Sequence, residues 1–156
     1  MLKFFNYDIV FQEIPDEVTL AVNITNCPNR CPGCHSQFLW ADIGEVLNEE
    51  AVQVIIGEYG DAITCFSFMG GDNDPQEVER LALWIKHHYP QYKIAWYTGK
   101  EEIDERVHPQ SFDYIKIGPY IEACGGLKSQ STNQRLLRIL SDGTSEDITY
   151  RFWEGR

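Results

Sequence analysis

The sequence predicts an α/β fold, either a partial (β/α) barrel or a curved, mostly parallel sheet, finished by a C-terminal hairpin. Three observations carry this reading. Strand-like and helix-like segments alternate along the chain, the pattern that gives a parallel sheet with helices packed on it. Three or four of the strand-like segments end in loops rich in Cys, Gly or Thr, and in such folds ligands bind at the carboxyl ends of strands. The chain has 156 residues, one domain's worth and too few for the eight βα units of a closed barrel.

Taken in order, residues 2–11 are aromatic and β-branched and read as a strand. Residues 17–25 (EVTLAVNIT) are the first strong internal strand, and they run directly into a cysteine-rich loop. Residues 48–59 have helical spacing, with Val52, Ile55, Ile56 and Tyr59 on one face and Asn48 as N-cap. Residues 62–68 (AITCFSF) are a buried-type strand ending at MGGD. Residues 75–89 form the clearest helix. Pro75 suits its first turn, acids lead it, and Val78, Leu81, Leu83 and Ile85 supply the apolar side. Strands follow at residues 92–97, ending at Thr98-Gly99, and at 113–117, ending at Gly118-Pro119. Residues 135–140 and 147–153 read as the closing hairpin around Ser141-Asp142-Gly143-Thr144.

With 43% hydrophobic and 13% aromatic residues, a chain of this length buries roughly 70% of its unfolded surface. It needs no metal or disulfide staple. Formal net charge is −11, which disfavours duplex nucleic acid. That charge serves solubility, or an acidic surface that meets a basic patch on a partner protein. The longest apolar runs, residues 18–24 and 62–69, fall far short of the ~20 residues that span a bilayer. The first residues, MLKFFNYDIVFQEIPDE, have neither an apolar h-region nor a small-residue cleavage site. The expectation is therefore a cytoplasmic protein with reduced thiols. Five cysteines, an odd number, also argue against a disulfide framework.

Cys27 to His35 reads CPNRCPGCH, with the spacing Cys27-x3-Cys31-x2-Cys34. Cys31-Pro32-Gly33-Cys34-His35 matches the C-x-x-C-H string of attached haem, but leaves Cys27 without a role. Structural zinc takes four tetrahedral ligands, usually as two separated pairs. Here only adjacent residues, or an isolated Cys65, Cys124, His87 or His88, would complete the set. A cubane iron–sulfur cluster is larger, and one short loop can wrap it with three thiolates on three irons. Ordinary ferredoxin clusters take four cysteines. A fourth close cysteine is absent here, so one iron would stay open to a ligand, as a catalytic zinc keeps an open position.

C-x3-C-x2-C in a loop after a barrel strand resembles the signature of the radical S-adenosylmethionine (SAM) enzymes. Met69-Gly70-Gly71-Asp72, after the next strand, is similar to that superfamily's Gly-Gly-Glu/Asp element. Glycines there let backbone approach a ligand closely. Within the superfamily the chain resembles the activating proteins of anaerobic ribonucleoside-triphosphate reductases. The resemblance runs through YDIV at 7–10, CPNRCPGCHSQFLW at 27–40, MGGD, WYTG at 96–99 and STNQR at 131–135. It covers most of the chain and implies one radical SAM domain over residues 1–156. Two departures stand out. His35 follows the third cysteine where tyrosine is frequent in the family, and Phe11-Gln12-Glu13-Ile14-Pro15 replaces the usual glycine-proline turn.

The resemblance implies that Cys27, Cys31 and Cys34 ligate a [4Fe-4S] cluster whose fourth iron binds SAM through its amino and carboxylate groups. One electron then cleaves SAM to methionine and a 5′-deoxyadenosyl radical, which removes a hydrogen from a backbone glycine of the reductase's glycyl-radical subunit. A low-potential donor such as flavodoxin would supply the electron. Met69, Gly70, Gly71 and Asp72 would contact the methionine end of SAM, Thr98 and Gly99 the adenosine, and Asn133 of the STNQ stretch the cofactor as well. Arg30 either offsets thiolate charge or is solvated, and His35 reads as a supporting residue. Cys65 reads as a small buried hydrophobe, Cys124 as exposed, and the four tryptophans as core or interface. Two readings from other classes remain: an iron–sulfur electron carrier, which has no use for MGGD and WYTG, and a zinc-binding interaction module. A nearer rival keeps the radical chemistry and changes its target.

Overall fold

The computed structural model describes residues 1–29 and 37–154, the side chains of Gln37 and Phe38 excepted. Eight strands form one mixed sheet. In chain order they are β1 (Leu2–Val10), β2 (Thr19–Ile24), β3 (Glu45–Leu47), β4 (Cys65–Met69), β5 (Lys93–Tyr97), β6 (Tyr114–Ile117), β7 (Arg135–Ile139) and β8 (Ser145–Asp147). The sheet order is β3-β1-β2-β4-β5-β6-β7-β8. The central run β2-β4-β5-β6 is parallel, and every pairing outside it is antiparallel.

Two helices serve the parallel crossovers: α1 (Glu49–Tyr59) and α2 (Pro75–His88). The parallel strands are laid down in one direction, and right-handed crossovers then put both helices on the same face. One apolar cluster confirms this. It joins Val52, Ile55 and Ile56 of α1 and Val78, Leu81 and Ile85 of α2 to Val22, Phe66, Phe68, Ile94 and Trp96 of the sheet. The β5–β6 connection carries only a short 3-10 turn at Pro109–Ser111.

The opposite face has a different composition. Ala21, Ser67, Ala95 and Tyr114 share one register row, and Asn23, Met69, Tyr97 and Lys116 share the next, at the carboxyl ends of the parallel strands. Toward the amino ends this face is covered by Ile14, Ile148 and Phe152, packed on Cys65, Ala95 and Leu136. Small side chains in the middle and polar ones at the rim leave the carboxyl-end half of the face less filled. A cavity of about 540 Å³ opens there, with Glu13, Tyr97, Leu127 and Phe152 in its wall.

Local chemistry accounts for the element ends. The Asn48 side chain accepts from Ala51 N at 3.0 Å and caps α1. Pro75 opens α2, and Lys86, His87 and His88 close it, matching the helix dipole. Two expectations are corrected, and one strand is added. Leu83 is half exposed rather than part of the apolar side of α2. Residues 149–152 form a 3-10 turn, not strand, because Asp147 Oδ1 accepts from both the amide and the hydroxyl of Thr149. The strand β3 has no counterpart in the sequence reading. No helix among the described residues is long and apolar enough to cross a membrane.

Candidate functional site

The chain leaves β2 through Thr25, whose hydroxyl donates to Ile43 O at 2.6 Å. Asn26 follows with φ of 60°, a left-handed conformation that asparagine tolerates better than most residues. Its amide donates to Ala41 O, and that of Cys27 to Leu39 O, each at 3.0 Å. Cys27 is thereby fixed at the carboxyl end of β2 as a half-buried free thiol. Arg30, Cys31, Cys34 and His35 lie outside the described residues.

The strand β4 ends in Gly70 and Gly71, with φ of +113° and +96°. A Cβ on Gly71 would sit 2.5 Å from Val78 Cγ2, so the turn can pack on α2 only as glycine. Gly70 is held from both sides: its amide donates to Tyr97 O at 3.0 Å, and Trp96 Nε1 donates to its carbonyl at 2.8 Å. This turn delivers Asp72, which is 8% exposed. Asp72 Oδ1 accepts from the Thr98 hydroxyl at 2.5 Å, and Oδ2 from the Gly99 amide at 2.8 Å. Oδ2 also accepts from Asn29 Nδ2.

Asn29 completes the link. Its Nδ2 lies 3.7 Å from Cys27 Sγ as well as against Asp72. A methyl on Gly99 would come within 2.6 Å of that nitrogen, so the bare backbone of Gly99 makes room for the amide. One carboxylate thus ties together the loops after β2, β4 and β5. Cys27, Asp72, Thr98 and Gly99 meet at one rim, with Met69 in the register row just below.

Asn133 stands one strand further on. Its Nδ2 donates to Pro119 O at 3.0 Å, while Ser131 and Thr132 hydroxyls donate to Cys124 O and Gly125 O. The STNQ stretch therefore holds the loop after β6. Among the described residues, Asn133 Oδ1 is buried with no hydrogen-bond partner. Cys124 is half-buried, a correction to the exposed position expected.

Two further residues shape the rim. Lys116 is 7% exposed. Its Nζ donates to Thr98 O and Gly118 O, both at 3.0 Å, and lies 5.6 Å from the Tyr97 ring centroid. Lys116 was not singled out from the sequence; the signal available was its shared parity with Tyr114 in YIKI. Burial pushes the Tyr97 hydroxyl above its ordinary range, and that hydroxyl donates to Glu13 O. Asn29, inside the cysteine loop, carried no signal of its own.

Two of the four remote residues considered for zinc, Cys65 and His88, are taken up elsewhere. Cys65 is fully buried, and burial raises its thiol far above the usual range. His88 stacks on Trp84 and contacts its carbonyl at the end of α2. A half-buried thiol beside an amide N–H suits a cluster ligand, because hydrogen bonds to sulfur tune cluster potentials.

The family described as "4Fe-4S single cluster domain" matches this chain over residues 17–122. That span takes in Cys27, Cys31, Cys34, the Gly70-Gly71-Asp72 turn, Thr98 and Gly99. It leaves out β1, Asn133 and the β7–β8 hairpin. No curated protein and no solved structure matches the chain.

Proposed function

Because this chain belongs to the 4Fe-4S single cluster domain family and is an iron–sulfur protein, we propose that it is a radical SAM activating enzyme, an oxidoreductase acting on the glycyl-radical subunit of an anaerobic ribonucleoside-triphosphate reductase. One observation carries the reading. The Asp72 carboxylate joins the cysteine loop to the two turns that a SAM site requires, and an electron carrier has no use for such a joint.

In this reading Cys27, Cys31 and Cys34 would hold the cluster and leave one iron for SAM. The bound cluster supplies one electron for reductive cleavage of the SAM sulfonium. The protein's part is positional. Asn29 Nδ2 donates toward Cys27 Sγ and orients that ligand. Asp72 has both oxygens engaged by protein donors, so its part is to fix the rim on which the cofactor sits. Thr98 holds Asp72 from one side and accepts from Lys116 through its carbonyl on the other. Asn133 Oδ1 offers an acceptor to a cofactor amino or hydroxyl group. The cavity walled by Tyr97 gives the target's glycine-bearing segment a place to enter. A low-potential electron donor and a cytoplasmic setting belong to the same proposal.

The test is anaerobic. The protein is reconstituted with iron and sulfide, reduced, given SAM, and assayed for 5′-deoxyadenosine, with Cys31→Ala beside it. Product that vanishes in the variant is expected. A brown, loaded protein that makes none would favour the electron carrier, and a protein that takes zinc and no iron would sink the reading.

A further inference from the structure

The outer edge of β1 is only partly covered. β3 pairs with Leu2, Lys3 and Phe4 and then stops. From Asn6 to Val10, β1 pairs with β2 on its inner side and with no strand on its outer side among the described residues. The Ile9 amide faces outward, since it donates to Asp8 Oδ1 at 2.8 Å rather than into the sheet. The Tyr7 amide shares that parity. Five residues at ~3.4 Å each make a slot of about 17 Å, close to one ordinary strand.

The slot has a wall. A groove of about 750 Å³ adjoins it at Tyr7, lined also by Phe5, Ile43 and Val46 and by Ala51 and Val54 of α1. Val54 is 64% exposed although it stands on the sheet-facing helix. Leu47, at the end of β3, shows what a strand in this line does: it is 1% exposed. An added strand in the same line would drop alternate side chains onto Ala51 and Val54.

Charge decides the occupant. The groove and its margins carry Glu45, Glu50 and Glu58, all exposed, and among the described residues no Lys or Arg lines it. A second copy of a chain with net charge −11 would bring like charge to the same place. We infer that the Asn6–Val10 edge of β1 and the α1 groove form a docking site for an extended segment of a partner protein, with apolar residues alternating with Lys or Arg, added to the sheet as a ninth strand. β1 precedes the matched family span, so this surface gives the chain a partner of its own without altering the rim that holds the cluster loop.

The probe is a synthetic seven-residue peptide alternating Val with Lys or Thr, and a control with Glu in place of each Lys. Amide hydrogen exchange is read residue by residue on the full chain. The basic peptide is expected to slow exchange at Tyr7 and Ile9, with affinity falling as salt rises. Val54→Lys and Glu50→Lys, both at exposed positions, should each weaken binding at least tenfold without changing the melting temperature. Three results would overturn the inference: no protection at Tyr7 and Ile9 with saturating peptide, equal protection by the acidic control, or protection that appears with protein concentration alone alongside a dimer in sedimentation.

Discussion

The Thr98 hydroxyl donates to Asp72 Oδ1 at 2.5 Å, across two neighbouring parallel strands and in a site where Thr98 is 1% exposed. With the Gly99 amide on the other oxygen, the pair closes a bracket between the ends of β4 and β5. Asn29 extends the bracket to Cys27. Thr98→Val keeps the shape and removes the donor, leaving a buried carboxylate oxygen short of a partner. Such a loss costs about 1–3 kcal/mol. Urea denaturation should show it, and SAM cleavage should fall with iron content unchanged.

Gly99→Ala tests the bracket from the other side. Its methyl would sit 2.6 Å from Asn29 Nδ2, too close for real atoms, so the amide must withdraw from Cys27. The expected outcome is a protein that melts within a few degrees of the parent, binds iron, and shows an altered cluster reduction potential. An unchanged potential and unchanged activity would separate Asn29 from the cluster.

Cys65→Ala addresses the fourth-ligand question. The thiol is fully buried, and burial holds it protonated well above neutral pH. The variant should keep its full complement of iron and its SAM cleavage. In the native parent, Cys65 should resist alkylation at pH 8 while Cys27 in the cluster-free protein reacts; mass spectrometry after digestion reads both.

Alkaline stability follows from two partly buried tyrosines. Burial raises the Tyr97 and Tyr114 hydroxyls, with Glu13 and Glu17 adding to the effect respectively. Unfolded tyrosine ionises near pH 10, where the folded state still keeps both protons. The folded state then binds more protons, so stability is intact below about pH 10 and falls as pH rises beyond it. Urea midpoints at pH 8 and pH 11 should differ, and Tyr114→Phe should shrink the difference.

Much of the site was legible because its chemistry lies in short runs that keep their order along the sheet. CPNRCPGC follows β2, MGGD follows β4 and WYTG ends β5, and parallel strands put their ends on one rim. Asn29 and Lys116 were not singled out from the sequence, since each acts through a partner distant along the chain: Asp72 for the one, Thr98 for the other. The three-residue β3 exists because β1 offers it an edge, not because Glu45-Val46-Leu47 favours a strand. The C-terminal turn at residues 149–152 replaced a strand through one side-chain cap from Asp147.

The most direct measurement is electron paramagnetic resonance of the reconstituted, reduced protein before and after SAM is added. A three-cysteine cluster with an open iron beside the Asp72 rim should give a [4Fe-4S] signal whose g-values move on addition of SAM, and Asp72→Ala should weaken that response. A signal indifferent to SAM in a fully loaded protein would contradict the account and leave a cluster that carries electrons without a substrate of its own.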